Sequence, residues 1–194
     1  MLENSLIIKK VDLRTRITYK AIVSAGLIAL AVTLPQIVHL AIGQPGGVKW
    51  LPMYLPVLIG GCLLGAKWGL VVGMLSPIVS FLITSALGEA MPAAARLPFM
   101  VFELAVFAVV SGLFTKKISE NGLWAIAAVI SAAIAGRLLF LGAVAVFSAF
   151  TPFTVQMIWG QIITGLPGLA VQCVVVPFVL IGLKKLMIKD QEND

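Results

Sequence analysis

Residues 21–34 of the chain have the sequence AIVSAGLIALAVTL, and no Asp, Glu, Lys or Arg occurs between Lys20 and Lys49. A helix needs about 20 apolar residues to cross the hydrocarbon core of a bilayer, so this run is long enough to span it. The rest of the chain has the same character, since 60% of its 194 residues are hydrophobic and only 11% are charged. The mean hydropathy of +1.08 excludes a soluble enzyme, a secreted disulfide scaffold and a disordered segment.

The apolar runs predict an all-α integral membrane protein with six transmembrane helices. Their expected ranges are roughly 18–42, 51–65, 68–87, 97–115, 123–150 and 158–187. The second run is short and carries Pro52 and Pro56, so a broken or re-entrant segment is the alternative there. In domain terms, the prediction is an N-terminal cytoplasmic segment 1–17, a membrane domain 18–187 and a C-terminal cytoplasmic tail 188–194.

The distribution of basic residues predicts the orientation. Lys49 and Arg96 fall on one side of the predicted helices. The other side carries Lys9, Lys10, Arg14, Arg16, Lys20, Lys67, Lys116, Lys117, Lys184, Lys185 and Lys189. Because cytoplasmic loops are enriched in Lys and Arg, both termini are expected inside, and loops 43–50, 88–96 and 151–157 outside. The net charge of +6 therefore reflects membrane orientation and not nucleic-acid binding.

The first predicted helix carries a stripe of small residues. Ala21, Ala25 and Ala29 recur every fourth position and share one face. Small residues at this spacing allow another helix to approach closely within the membrane. The stripe predicts either packing against the chain's own helices or a docking face for a partner subunit.

Two ionisable residues are expected inside the hydrocarbon region. Glu103 lies about six residues from the outer end of the fourth predicted helix, and Arg137 lies at a similar depth in the fifth, about 9 Å from the outer surface. An unpaired charge at such a depth costs at least about 2.5–3.5 kcal/mol. We therefore expect Glu103 and Arg137 to pair, either as a structural tie or as part of a ligand site.

The outward loops and adjoining helix ends carry residues suited to a small-molecule pocket. Aromatic faces with a few amides and an arginine fit a partly aromatic, polar metabolite, although an interfacial aromatic belt is the alternative for Trp50 and Trp159. The candidate substrate-binding residues, with the buried pair included, are Trp50, Met53, Tyr54, Arg96, Glu103, Arg137, Gln156, Trp159 and Gln161. The chain breakers at 44–47 and 165–168 predict a turn and a kink.

Nothing in the sequence indicates catalysis. It contains no phosphate-binding loop, no His-Glu-x-x-His motif and no Gly-x-Ser-x-Gly elbow, and His39 is its one histidine. Cys62 and Cys173 lie in separate apolar runs and form no metal-ligand pattern. We therefore expect no enzyme activity, no metal and no cofactor bound by this chain.

Several local patterns together resemble the substrate-binding S component of an energy-coupling factor (ECF) vitamin transporter. They are LPMYLPVLIG at 51–60, LGAKWG at 64–69, GMLSP at 73–77, PFMVFEL at 98–104 and GLPG at 165–168. The resemblance extends over most of residues 20–185. Where many relatives with the Leu-Pro-Met-x-x-Pro pattern carry histidine, this chain has Tyr54.

The resemblance implies a bacterial-type, multi-pass cell-membrane protein that captures a vitamin or vitamin precursor from outside with high affinity. The branch is similar to components assigned to cobalamin, its precursors or pantothenate. Members of the family dock on a membrane coupling subunit through alanines spaced by four, and Ala21, Ala25 and Ala29 match that spacing. Two cytoplasmic ATPases supply the energy, the component topples to release its cargo, and the outward loops 43–50 and 88–96 close the site.

Two other functions fit the residues. A self-contained secondary transporter would use Glu103 as a proton-coupled carboxylate, although no inverted repeat is detectable. A membrane scaffold would use the Glu103–Arg137 pair and the alanine stripe only to hold helices together.

Overall fold

A computed structural model of the chain describes residues 13–147, 149 and 152–192, and its regular structure within these ranges is entirely α-helical. The eight helices are α1 (Leu13–Ile42), α2 (Gln44–Trp50), α3 (Tyr54–Leu64), α4 (Ala66–Ala86), α5 (Leu97–Leu113), α6 (Thr115–Glu120), α7 (Trp124–Val146) and α8 (Val155–Glu192). The predicted terminal segments 1–17 and 188–194 lie partly outside the described residues, as do positions 148, 150 and 151 of the predicted fifth helix and third outward loop.

Among the described residues, five stretches are long and apolar enough to cross a membrane: Arg14–Ile42, Gly46–Leu64, Ala66–Ala86, Trp124–Val146 and Val155–Lys185. The sixth apolar helix, Leu97–Leu113, is shorter at 17 residues. The all-α membrane character is thus confirmed, while the count of six crossings and the orientation of the termini stay predictions.

The second predicted helix is broken near its start. The residue after α2, Leu51, has a φ of 50°, and α3 begins only at Tyr54, so the apolar stretch Gly46–Leu64 is two helices joined by a short link. The prediction of a turn at 44–47 is wrong, because α2 occupies these positions with a proline among its first residues, where the missing N–H costs nothing. The connection between the fourth and fifth predicted helices, which contains Lys116 and Lys117, forms a short helix, α6.

The last helix is longer than predicted and lies against the link between α2 and α3. It begins at Val155 and continues without interruption through the expected kink at 165–168. A Cβ on Gly168 would lie 2.5 Å from the carbonyl oxygen of Lys49, so only glycine permits this approach. The carbonyl of Leu51 accepts hydrogen bonds from Tyr54 N–H at 3.0 Å and Gln172 Nε2 at 3.0 Å. These contacts hold the start of α3 against α8.

The tightest packing joins α3, α4 and α5 through glycines. A Cβ on Gly73 would lie 2.6 Å from the Leu104 carbonyl oxygen, and one on Gly69 would lie 2.8 Å from the Cα of Gly61. A Cβ on Gly61 would overlap Ser111 Oγ and the Ala108 carbonyl. In lipid, close backbone approach of this kind supplies the van der Waals contact that holds helices together. We call these three helices the glycine-packed core.

Candidate functional site

Tyr54 is the first residue of α3, and the break before that helix lets its side chain point into the bundle. The side chain is almost fully buried, with 2% of the residue exposed. Its hydroxyl donates a hydrogen bond to Glu103 Oε2 at 2.7 Å. A buried phenol needs such a partner, and a carboxylate is a strong acceptor for it.

Arg137 completes a buried cluster of three polar side chains. Its Nη1 lies 2.8 Å from Glu103 Oε1, and its guanidinium carbon lies 5.2 Å from the centre of the Tyr54 ring. The Glu103 side chain is fully buried and that of Arg137 is 13% exposed. The pairing predicted from membrane depth is therefore confirmed. We call these residues the Tyr54–Glu103–Arg137 cluster.

An aromatic contact supports the cluster on the side toward the C-terminal end of α5. Phe107, one turn after Glu103 on α5, meets the Tyr54 ring edge to face with ring centres 4.9 Å apart. A Cβ on Gly136 would overlap the Phe107 ring, so α7 can approach this pair only with glycine at that position. The cluster is thus held by side chains whose own positions are fixed by packing, which is what a precise binding site requires.

A small cavity adjoins Arg137. Its volume is about 30 Å³, and it lies between α7, α8 and the link before α3. Its lining residues are Leu51, Phe107, Ala133, Arg137, Ile162, Gly165, Leu166 and Leu169. This volume suits water, whereas pockets for small organic ligands have about 300–1,000 Å³. A metabolite can enter here only if the surrounding helices move apart.

Two glutamines on α8 carry buried carbonyl oxygens that have no hydrogen-bond partner among the described residues. Gln172 is 2% exposed, and its Oε1 is unpaired while its Nε2 is bound to Leu51. Gln161 Oε1 is also buried and unpaired. Three residues before Gln172, Leu169 lines the cavity, as does Ile162, the neighbour of Gln161. Sequence reasoning did not assign Gln172 to the site, although an amide in the middle of an apolar helix is a usable signal.

A second and larger cavity opens between the N-terminal part of α5 and the C-terminal part of α7. Its volume is about 400 Å³. It is lined by Pro98, Phe99, Phe102, Leu139, Phe140, Ala143 and Phe147, all of which are apolar. We call this cavity the α5/α7 groove.

The family of the chain follows from a comparison made over most of its length. A family model described as "ECF transporter, substrate-specific component" matches residues 20–183. The chain belongs to this family. No curated protein and no solved structure matches it significantly. It is therefore a substrate-specific membrane component of an ECF transporter, a class that works with the subunits of an ECF module and a small-molecule substrate.

The other predicted ligand residues of this substrate-specific component lie in different surroundings. Met53 is buried beside the cluster, and Trp50 is partly buried, with Lys49 Nζ 5.5 Å from the centre of its ring. Gln156 and Trp159 are exposed on the first turns of α8. The structure therefore brings together Tyr54, Glu103 and Arg137 and leaves Gln156 and Trp159 at the surface.

Arg96 lies at the N-terminal end of α5, immediately before the first helical residue. Its guanidinium carbon is 5.8 Å from the centre of the Phe140 ring. Phe140 follows Arg137 by about one turn of α7, so Arg96 lies closer than the cluster to the C-terminal end of α7.

The alanine stripe of this substrate-specific component faces away from the other helices of the bundle. Ala21, Ala25 and Ala29 are all exposed, whereas Ser24 and Leu27 on the same helix are buried. The alanines therefore do not pack against the chain's own helices in this structure. Their role in docking stays a prediction.

Proposed function

We propose that this chain captures a vitamin or vitamin precursor on the outer side of the membrane, in a site built around the Tyr54–Glu103–Arg137 cluster. The observation that carries the proposal is a buried ion pair next to a cavity, within a predominantly apolar membrane domain. Ionisable residues at membrane depth are costly, and where they occur they commonly mark ligand or ion pathways.

The polar groups beside the cavity favour a particular kind of ligand. Arg137 can donate to a carboxylate or phosphate through its planar guanidinium. The unpaired oxygens of Gln161 and Gln172 need hydrogen-bond donors. A ligand with an acidic group at one end and an amide or hydroxyl at the other satisfies both, which supports a pantothenate-like or cobalamin-related molecule.

Ligand entry requires the outer part of the bundle to open. The 30 Å³ cavity is closed by Leu51 on the α2–α3 link and by Gly165 on α8. In our proposal α2 and loop 88–96 move outward, and Trp50, Met53, Gln156, Trp159 and Gln161 complete the walls of the enlarged site.

Energy for uptake comes from partners in this proposal. The exposed face with Ala21, Ala25 and Ala29 docks on the membrane coupling subunit, and two cytoplasmic ATPases hydrolyse the ATP. The chain itself binds no cofactor and catalyses no reaction. It acts as a multi-pass protein of a bacterial-type cell membrane.

A thermal-shift screen of the purified chain in detergent tests the proposal. At a hundred times its dissociation constant, a true ligand adds about 2.7 kcal/mol to the stability of the folded state. We expect one vitamin or precursor to give such a shift, and Gln161→Leu to reduce it. Thr164→Val, an exposed change on the same helix, is the matched control. An equal shift in both variants would place the ligand elsewhere, and no shift with any compound would contradict the proposal.

The fully buried carboxylate of Glu103 also favours one other function, proton-coupled secondary transport. In that case the chain alone, in proteoliposomes, would accumulate ligand in response to a pH gradient, and Glu103→Gln would abolish accumulation. We expect no uptake without the ECF module.

A further inference from the structure

The α5/α7 groove is separate from the polar cluster and faces the membrane. Phe102 is 64% exposed and Phe147 is 52% exposed, so the groove opens sideways between the two helices. Between Leu139 and Phe147 it follows α7 for about 12 Å. In a membrane-spanning chain, this opening lies against lipid and not against water.

The lining of the groove selects an apolar occupant. None of its lining side chains offers a hydrogen-bond donor or acceptor. A polar metabolite would lose its contacts with water here without replacing them, which is unfavourable for each unpaired polar group. A hydrocarbon chain has no such groups to leave unpaired, and a volume of about 400 Å³ is large enough for one to make van der Waals contact with the apolar walls.

A positive charge lies at the outer mouth of the groove. Arg96 is placed over Phe140, whose ring forms part of the groove wall. Within the described ranges, Arg96 has no acidic side chain at ion-pair distance. It also stands at the N-terminus of the 17-residue helix α5, where the helix dipole favours an anion. The α5/α7 groove is therefore an apolar channel with a group that can bind an anion, Arg96, at one end.

We propose that the α5/α7 groove binds one phospholipid, with an acyl chain in the groove and the headgroup phosphate on Arg96. A phospholipid is an amphiphile with this arrangement of charge and hydrocarbon. The positive-inside orientation places the mouth at the outer leaflet. In this proposal Arg96 contacts the lipid headgroup and is not part of the substrate site, whose cavity does not include Phe140.

Native mass spectrometry of the full-length chain with added phosphatidylglycerol tests the proposal. We expect a 1:1 adduct that survives removal of the detergent. Ala143→Trp fills the groove and should abolish the adduct, while Ala145→Trp, an exposed alanine outside the groove, should leave it unchanged. Arg96→Gln should weaken phosphatidylglycerol binding about tenfold, since a charge-assisted contact to phosphate is lost.

Several results would overturn the proposal. One is equal lipid retention in the wild type, Ala143→Trp and Arg96→Gln. Another is displacement of the adduct by inorganic phosphate alone or by the water-soluble vitamin found in the thermal-shift screen. If Ala143→Trp does not fold, Arg96→Gln decides alone, because it alters only a partly exposed side chain. A vitamin that binds without displacing lipid would leave the proposed function intact whatever the outcome for the groove.

Discussion

The glycine-packed core differs from the region that holds the Tyr54–Glu103–Arg137 cluster and the α5/α7 groove, here called the cluster-and-groove region. The two regions differ in how much space separates neighbouring helices. In the core, Gly61, Gly69 and Gly73 bring backbones so close that an added Cβ would collide with a neighbouring helix. In the cluster-and-groove region, α5 and α7 are far enough apart to leave the α5/α7 groove, and a polar cluster lies between the helices. Helix α5 belongs to both regions. One helix thus connects a closely packed region to the region in which the proposed ligand site lies.

The largest loss of stability is expected from Gly61→Leu, which lies in the glycine-packed core. The new side chain would overlap Ser111 and the backbone of Ala108, and overpacking of this kind costs about 3 kcal/mol or more. Thermal unfolding in detergent should show a large loss of stability. The matched control is Gly142→Leu on α7, where nothing lies within 4 Å of an added Cβ. Similar unfolding of the two variants would refute the distinction between the regions.

Arg137→Met tests whether the stability of the cluster-and-groove region depends on the ion pair. Removal of one partner leaves the buried carboxylate of Glu103 uncompensated, which costs about 3–5 kcal/mol. The double variant Arg137→Met, Glu103→Gln should recover most of this stability while ligand binding stays lost. Unfolding experiments and ligand titrations on both variants measure the two effects separately. A single variant as stable as the wild type would show that the pair contributes little to the fold.

Tyr54→Phe should have a smaller effect, because it removes one hydrogen bond and keeps the ring packed on Phe107. A hydrogen bond to a charged group contributes about 1.5–3 kcal/mol. Tyr19→Phe, a change at a half-exposed tyrosine on α1, should leave the melting temperature unchanged. If both variants melt alike, the Tyr54 hydroxyl is not a working member of the cluster.

Ala25→Trp should change stability least, by no more than about 0.5 kcal/mol, because the residue is exposed. Its expected effect is on assembly, since a large side chain on the alanine stripe prevents close approach of a partner helix. Co-purification with the coupling subunit should fail while ligand binding persists. Ala145→Trp on α7 is the control that should still assemble. Unimpaired assembly of Ala25→Trp would remove the docking role from this face.

The sequence was informative about features that depend only on the order of residues along the chain. Runs of apolar residues predict the helices, and two prolines indicate the break before α3. Depth along a helix predicts the meeting of Glu103 and Arg137, because equal depth is a necessary condition for contact. The length of α8 was underestimated because Gln156 interrupts the apolar run at its start and the last residues, 188–192, are mostly polar.

The rest of the site depends on contacts between distant segments. Nothing in the local pattern shows that the Tyr54 hydroxyl reaches Glu103, or that Gln172 binds the carbonyl of Leu51 across 121 positions. The α5/α7 groove likewise depends on how far two helices separate, which residue spacing does not determine. The exposed alanines illustrate the same point, because only packing decides whether a small-residue stripe is covered.

The unequal lengths of the helices have a consequence for the bilayer itself. Helix α1 has 30 residues and α5 has 17, so at 1.5 Å per residue they measure about 45 Å and about 26 Å. A hydrocarbon layer of about 30 Å matches neither when both stand upright, and the difference is accommodated by tilt of the long helix and local thinning around the short one. The free energy of any tilt of the protein therefore depends on bilayer thickness, so the chain length of the surrounding lipids influences how the protein is oriented.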